Sequence, residues 1–277
     1  MSKVWFVTGA SSGIGAGVVR AALEGGDRVV ATARNLEKLR KVLGPGSDRL
    51  ALVQLDVSKE SQAKQAVEAA LAKFGRIDVL VNNAGYSLLG NFESFTQEQL
   101  EDQFATNFYG VVFPLRAVLP TMRRQKSGRI INVSSMAGVI GYATASAYAA
   151  TKFAVEGLSL SVAQEVERFG IKVTLVEPGF FRTDLLAPQS VVFGEREAEG
   201  YDAPVAVKSQ WQGYHQKQSG DPAKLGNALV QLAGMESPPR QFFAGSDAVG
   251  GITADLKRRL AEVETHRELS ATTVGKY

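Results

Sequence analysis

Tyr148 and Lys152 lie four residues apart in the stretch "SAYAATK" (146–152), and on a helix that interval puts a phenol and an ammonium on one face about one turn apart. Such a pair can move a proton. A phenol titrates near ~10 and donates readily, but it is hard to reuse as a base near neutrality unless something stabilises the phenolate. An ammonium ~5 Å away at an effective dielectric of ~20 favours phenolate by ~3 kcal/mol, on the order of two pKa units before burial takes some back. Tyrosine and lysine at this spacing also decorate ordinary solvated helices. Here the flanking "SAYAA" and "FAVEGLSLSVA" are small or apolar around most of the circumference, which predicts burial on several sides and a partly desolvated lysine.

A second stretch, "TGASSGIG" (8–15), follows a β-branched run and opens a helical one. Gly9, Gly13 and Gly15 stand where backbone must turn tightly and approach a dinucleotide's pyrophosphate at a helix N-terminus, and Ser11, Ser12 and Ile14 complete the same binding segment. A second strand follows and ends about twenty residues on, the context this turn requires.

These residues need elements to hold them. Strand signals occur at "VWFVTG" (4–9), "RVVATAR" (28–34), "LALVQLDV" (50–57), "DVLVNNAG" (78–85), "RIINVSS" (129–135), "IKVTLVEPG" (171–179) and, more weakly, "QFFAG" (241–245). Helical patterns lie between them, among them 13–25, 59–75, 97–126 and 147–170. The alternation predicts one α/β domain, a doubly wound parallel sheet with helices on both faces. The uncharged run 130–151 approaches the length of a membrane span, but Asn132, Ser134, Ser135 and Thr144 within it predict strand, loop and helix start instead.

Composition narrows the function classes. The 277 residues are 45% hydrophobic and 21% charged, which suits a globular protein with a large core. A net charge of +3, with short basic clusters only at 123–126 and 256–259, argues against nucleic-acid binding. With no cysteine and only His215 and His266 as histidines, neither a thiolate nor a histidine metal centre is expected. The N-terminal apolar run is too short for an export signal, and together with the missing cysteines this makes a reducing, cytoplasmic location the expectation.

Taken in order, "TGASSGIG", "LDV" (55–57), "NNAG" (82–85), Asn107 in "ATNFYG", Ser135 in "NVSS", "YAATK" (148–152) and "PGFFRT" (178–183) resemble the short-chain dehydrogenase/reductase family of the common single-domain type, over roughly residues 3–245 and on toward the C-terminus. The longer C-terminal part, with "GSDAVGGITADLKRRLAEVE" (245–264), is similar to the hydroxysteroid-dehydrogenase-like or carbonyl-reductase-like branch, and 246–277 reads as a helical extension. The resemblance implies a seven-stranded Rossmann sheet, a nicotinamide cofactor and interconversion of an alcohol and a carbonyl. Tyr148 would be the acid/base, Ser135 would orient the substrate oxygen, and Lys152 would tune Tyr148 and hold the nicotinamide ribose. Asn107 would bind a water that links to the lysine. By the same resemblance Asp56 would meet the adenine amino group with Val57 against the ring. Asn82, Asn83, Ala84 and Gly85 would line the cofactor, while Pro178, Gly179 and Thr183 would approach the carboxamide. Two local alternatives stay open: Ser134 could take the role of Ser135, and Asn107 could be a plain buried polar residue.

The end of the second strand, "VVATARN" (29–35), addresses cofactor choice. An acid there would bind the adenosine ribose and repel a 2′-phosphate. Ala33 occupies the position and Arg34 follows, so NADP(H) is expected to be preferred, with NAD(H) possible and a water-exposed strand-ending arginine as the alternative. Residues 184–220 carry Leu185, Leu186, Val191, Val192, Phe193, Tyr201, Trp211 and Tyr214, more apolar surface than a solvated loop needs; a lid over a hydrophobic alcohol or carbonyl substrate is expected, though an oligomer contact would use the same residues. Helices near 97–126 and 147–168 are expected to pair across a two-fold axis in a homodimer or homotetramer. The related epimerase/dehydratase type shares the tyrosine and lysine but spaces its glycine turn differently, and a nicotinamide sensor without turnover would need no Ser135, Tyr148, Lys152 set.

Overall fold

Seven short β-branched runs separated by helices can bury both faces of each strand only if the strands lie side by side and the helices cover them. The computed structural model, which describes residues 2–201 and 203–275, has that arrangement. In chain order the elements are β1 (Val4–Val7), α1 (Gly13–Glu24), β2 (Arg28–Ala33), α2 (Leu36–Leu43), β3 (Leu50–Gln54), α3 (Glu60–Phe74), β4 (Val79–Asn82), β5 (Leu88–Leu89), α4 (Gln97–Phe104), α5 (Gly110–Gln125), β6 (Gly128–Val133), α6 (Ser146–Val166), β7 (Ile171–Pro178), β8 (Val192–Phe193), α7 (Pro204–Gln212), α8 (Pro222–Gly234), β9 (Gln241–Ala244), α9 (Ser246–Thr265) and α10 (Arg267–Ala271). The sheet is parallel throughout, in the order β3-β2-β1-β4-β6-β7-β9. All seven strands expected from the sequence are present.

Each face of the sheet has its own core. On one side Val18, Val19 and Ala22 of α1, Leu39 of α2 and Leu225, Leu229 and Leu232 of α8 pack on Trp5, Val7, Val29 and Val81. On the other, Ala63, Ala66 and Val67 of α3, Leu115, Val118 and Met122 of α5, and Ala163 and Val166 of α6 pack on Phe6, Val30, Leu80 and Ile130. Close approach is built into the first layer: a Cβ on Gly226 of α8 would come within 2.5 Å of the Gly17 carbonyl carbon of α1.

The strand order sets the site. From β1 the chain steps outward to β2 and β3, then returns to place β4 on the opposite side of β1, and ligands gather where such a reversal leaves a crevice at the carboxyl ends of the strands. The segments that follow β1, β4, β6 and β7 all open there, and they contain every residue singled out for chemistry except Arg34, Asp56, Val57, Asn107 and the strand-ending Asn82 and Pro178. The segment 184–220 is more structured than a loop. Its short strand β8 pairs with β5 through Leu88↔Val192 and Leu89↔Phe193, α7 lies within it, and Phe181 bridges Gly220 at its base.

Candidate active site

The glycine turn forms a cradle. Gly9 and Gly13 have φ of 65° and 51°, left-handed values that glycine adopts without a Cβ penalty. Asn83, directly after β4, donates from Nδ2 to the carbonyls of Thr8 and Gly9 at 3.0 and 3.1 Å, and its own N–H donates to Thr8 Oγ1 at 2.9 Å. A Cβ on Gly15 would meet the Gly9 carbonyl oxygen at 2.5 Å and Asn83 Nδ2 at 2.6 Å. Ser12 precedes α1 with no side-chain cap, so the first amides of that helix are left for an incoming anion. This is a fitting seat for a dinucleotide's pyrophosphate. Thr183 lies against Gly13, 3.0 Å from where its Cβ would be, and Lys38 of α2 pairs with Asp184 at 3.9 Å, drawing the start of the 184–220 segment to the cradle.

Two neighbouring asparagines divide the work. Asn82 continues β4 inward and donates to Asn132 Oδ1 at 2.9 Å, fully buried in the sheet, whereas Asn83 faces the turn. The Asn82 side chain, expected at the cofactor crevice, is engaged by Asn132, its register partner on β6. Ala84 and Gly85 follow at the crevice, with Gly9 closest to Ala84 and Gly85 against the Asn107 side chain. Asp56 accepts from the N–H and hydroxyl of Ser58, at 3.0 and 2.8 Å, and Val57 packs on Gly110. Ala33 is buried at the end of β2; Arg34 is exposed, with no ion pair among the described residues.

Tyr148 and Lys152 occupy the first two turns of α6, both buried, with Lys152 Nζ 5.7 Å from the centre of the Tyr148 ring. Ser135 ends the turn after β6, where its Oγ accepts from the Ala137 N–H at 3.1 Å, and it lines the same cleft as Tyr148. Ser134 is buried and points the other way, toward Gly138 and Glu156. Of the two adjacent serines, only Ser135 meets the cleft.

Asn107 is fully buried in a π-helical turn, Ala105–Tyr109, between α4 and α5. Its Oδ1 accepts from the Tyr86 N–H at 3.1 Å; its Nδ2 donates to the Tyr86 carbonyl at 2.9 Å and to Thr151 Oγ1 at 3.3 Å. The side chain thus ties the segment after β4 to α6, and the widened turn breaks the regular i→i−4 ladder at this point.

Electrostatics differ from the sequence-based expectation. Burial pushes the Tyr148 phenol up to about 12, with Ser135 pulling it down more weakly, and burial pushes Lys152 down to about 8 against the opposing pull of Glu156. For each group the cost of burying the charged form outweighs the help its neighbour gives, Ser135 for Tyr148 and Glu156 for Lys152. Lys152 Nζ donates to the Val133 carbonyl at 2.9 Å, which fixes its head at the end of β6.

Behind the lysine lie two buried carboxyls that the sequence did not reveal. Glu156 follows Lys152 by one turn, Glu177 sits in β7, and both accept from Gln241 Nε2, at 3.4 and 3.2 Å. Burial first, then the nearby Glu156 charge, pushes Glu177 up to about 8. The folded protein therefore keeps a proton on Glu177 that the unfolded chain releases near ~4.3. The stability tied to that proton is fully present below the unfolded value and is lost as pH rises through about 8. Replacing Glu177 with Gln is expected to flatten the fall in stability between about pH 5 and about pH 8, measured by chemical denaturation across pH. An unchanged slope would mean that Glu177 is not the titrating group.

The cleft beyond Ser135 and Tyr148 is predominantly apolar, lined by Leu89, Met136, Phe180, Phe181, Leu186 and Trp211 among others. Trp211 of α7 donates from Nε1 to Thr144 Oγ1 at 2.8 Å, and Thr144, at φ 61° in the turn before α6, also accepts at its carbonyl from the Gly90 N–H at 2.8 Å. Gly179, which lines the cleft, is followed by Phe180, whose N–H donates to Asp247 Oδ2 at 2.6 Å; Asp247 at the start of α9 thus holds the turn after Pro178. Sequence reading gave neither Asp247 nor Thr144 a part in the site.

A glycine cradle at a helix N-terminus, a reversal of strand order between β1 and β4, and a serine and a tyrosine on one cleft with a buried lysine beside the tyrosine define an oxidoreductase of the Rossmann type. The comparisons agree: the family model for short chain dehydrogenases matches residues 3–191. An oxidoreductase, BOA17, of Botryotinia fuckeliana is 41% identical over 275 residues, covering 98% of each chain. A 3-ketodihydrosphingosine reductase of Bacteroides thetaiotaomicron is 37% identical over 253 residues, 88% of each. The crystal structure of a short-chain dehydrogenase from Streptomyces avermitilis superposes with a TM-score of 0.90 at 39% identity, covering 99% of this chain and all of that one. The chain belongs to the short-chain dehydrogenase/reductase family, whose members use nicotinamide cofactors.

Proposed function

We propose that the protein interconverts a secondary alcohol and a ketone, or an aldehyde and its alcohol, on a small to medium hydrophobic substrate, with NADP(H) as the preferred cofactor. The observation that carries this reading is the convergence of Ser135 and Tyr148 on one apolar cleft beside Gly179. The nicotinamide supplies the hydride and, once oxidised, a positive charge at the site. Everything else falls to the chain. Ser135 donates to the substrate oxygen and holds it; Tyr148 delivers its proton to that oxygen in reduction and takes one back in oxidation. Lys152 holds the ribose by resemblance, and its ammonium favours the phenolate when Tyr148 must act as a base. Leu185, Leu186 and Trp211 in the 184–220 lid exclude water from the apolar part of the cleft. A screen of alcohols and carbonyl compounds of graded size, followed by cofactor absorbance, tests the reading. Turnover of apolar ketones supports it, and tight cofactor binding with no turnover of any member points to a sensor.

Cofactor choice rests on Ala33 and Arg34. A buried alanine offers no carboxylate to repel a 2′-phosphate, and an exposed guanidinium in no ion pair among the described residues is free to bind one. The kcat/KM for NADPH is expected to exceed that for NADH by ~10-fold or more, and Ala33→Asp combined with Arg34→Ala is expected to reverse the order. Equal efficiencies in the unmodified protein would reduce Arg34 to a surface residue.

Assembly follows the same family logic. Phe108, Tyr109 and Phe113 form a run of ring contacts around the start of α5, and Tyr109 and Phe153 are large, exposed apolar residues on α5's approach and on α6. Pairing of these helices across a two-fold axis would cover them. Light scattering is expected to give a dimer or tetramer of the 29.6 kDa chain, and a monomer at micromolar concentration would remove this claim.

A further inference from the structure

The cleft contains a polar group that the hydride-transfer chemistry does not use. Gln218 lines it, is only 7% exposed, and its side-chain Oε1 is buried without a hydrogen-bond partner; no hydrogen bond engages its Nε2 among the described residues. A buried amide left unpaired is costly, and native structures tolerate it mainly where something else completes it. The segment around it is not free to withdraw the side chain into solvent. Two residues on, Gly220 is pinned on both sides, its N–H donating to the Phe180 carbonyl at 3.0 Å and its carbonyl accepting from the Arg182 N–H at 2.9 Å. No residue lining the cleft makes a hydrogen bond to its Oε1 among the described residues.

We propose that Gln218 is a specificity-determining residue and that the substrate is bifunctional: an apolar ketone or alcohol carrying, apart from its reacting oxygen, a second hydroxyl or carbonyl group that the Gln218 amide binds. This inference rests on the alcohol–carbonyl reading above and narrows it. An amide offers both a donor and an acceptor, so it complements a hydroxyl or a carbonyl equally well, and it needs no charge on the ligand. In a predominantly apolar cleft, a monofunctional ketone held at Ser135 and Tyr148 would leave Gln218 unpaired, while a bifunctional one would pair it. Sites built this way reject the analogue that lacks the polar group more strongly than hydrophobic pockets reject an extra methylene.

Binding gives a test that does not depend on turnover. The sequence has two tryptophans, Trp5 in the sealed core and Trp211 in the cleft, so quenching of Trp211 fluorescence reports occupancy. The probes are undecan-2-one and chains of the same length bearing a second keto or hydroxyl group at successive positions, titrated into the full chain saturated with NADP+, which has no hydride to give a ketone. At least one bifunctional probe is expected to bind ~10-fold or more tightly than undecan-2-one, and Gln218→Met, close in shape but apolar, is expected to bring that ratio near unity. Gln218→Glu, which keeps acceptors and loses the donors, is expected to retain the preference for a hydroxyl probe and lose that for a diketone. Ratios near unity for every probe in the unmodified protein, or a ratio undiminished in Gln218→Met, would overturn the proposal. Discrimination by Gln218 without any turnover would instead remove the hydride-transfer reading and leave this one standing.

Discussion

Replacing Tyr148 with phenylalanine is expected to leave the fold and the cofactor affinity in place and to lower turnover by at least ~10²-fold. The ring packs against Ala137 and Ala149 with Tyr142 beside them, contacts that phenylalanine keeps, so the change removes one oxygen and one transferable proton. What remains, Ser135 and the cradle, can hold substrate and cofactor but cannot protonate the substrate oxygen. Because burial holds the phenol near 12, Tyr148 is in its donating form throughout the ordinary pH range, and reduction should suffer from its loss at every pH. Cofactor titration alongside steady-state kinetics checks both halves; turnover within a few-fold of the unmodified protein would remove Tyr148 from the chemistry.

The second large effect concerns the cradle. Gly15→Val is expected to weaken NADPH binding by ~10²-fold or more, because its Cβ would drive into the Gly9 carbonyl oxygen at 2.5 Å and the Asn83 amide at 2.6 Å, the two groups that shape the turn for a pyrophosphate. Neither can yield cheaply, since one is backbone and the other is held by Thr8 and Gly9. Gly141→Ala provides the contrast, as no atom lies within 4 Å of its added carbon. Fluorescence titration with NADPH should separate the two variants, and an unimpaired Gly15→Val would mean that the cofactor sits elsewhere.

The seven strands were legible because β-branched runs bounded by turn residues leave few alternatives, and the glycine turn because strand, turn and helix follow one another directly. Motif order singled out Tyr148, Lys152 and Ser135; Ser135 and Tyr148 line one cleft, and Lys152 is buried beside the Tyr148 ring. Features that depend on tertiary contact were not legible. The run 97–126 reads as one helix, but a π turn interrupts it at Ala105–Tyr109, where Asn107 bonds to Tyr86 and Thr151. Thr144, a β-branched residue, would be among the last assigned a left-handed φ; it is held there by bonds to Trp211 and Gly90, far along the chain. Asn82 and Asn83 look interchangeable until the strand's alternation is continued one residue further. Glu156 and Glu177 read as ordinary acids, since nothing local says that Gln241 from the last strand will bridge them. The same limit governed the phenol: the sequence supplies the distance between Tyr148 and Lys152, but the burial that reverses the sign of the shift belongs to the fold.

The central claim is that a hydride passes between a nicotinamide and a carbonyl carbon at the Tyr148 cleft. Its most direct test is isotope transfer: incubate the protein with deuterium-labelled NADPH and a bifunctional apolar ketone in ordinary water, and examine the product alcohol by mass spectrometry. The account predicts deuterium on the carbinol carbon, from one face of the nicotinamide only, with transfer cut at least ~10²-fold in Tyr148→Phe. Tight NADPH binding with no label in any alcohol, across ketones of graded size, would contradict it and leave a cofactor-binding protein without turnover.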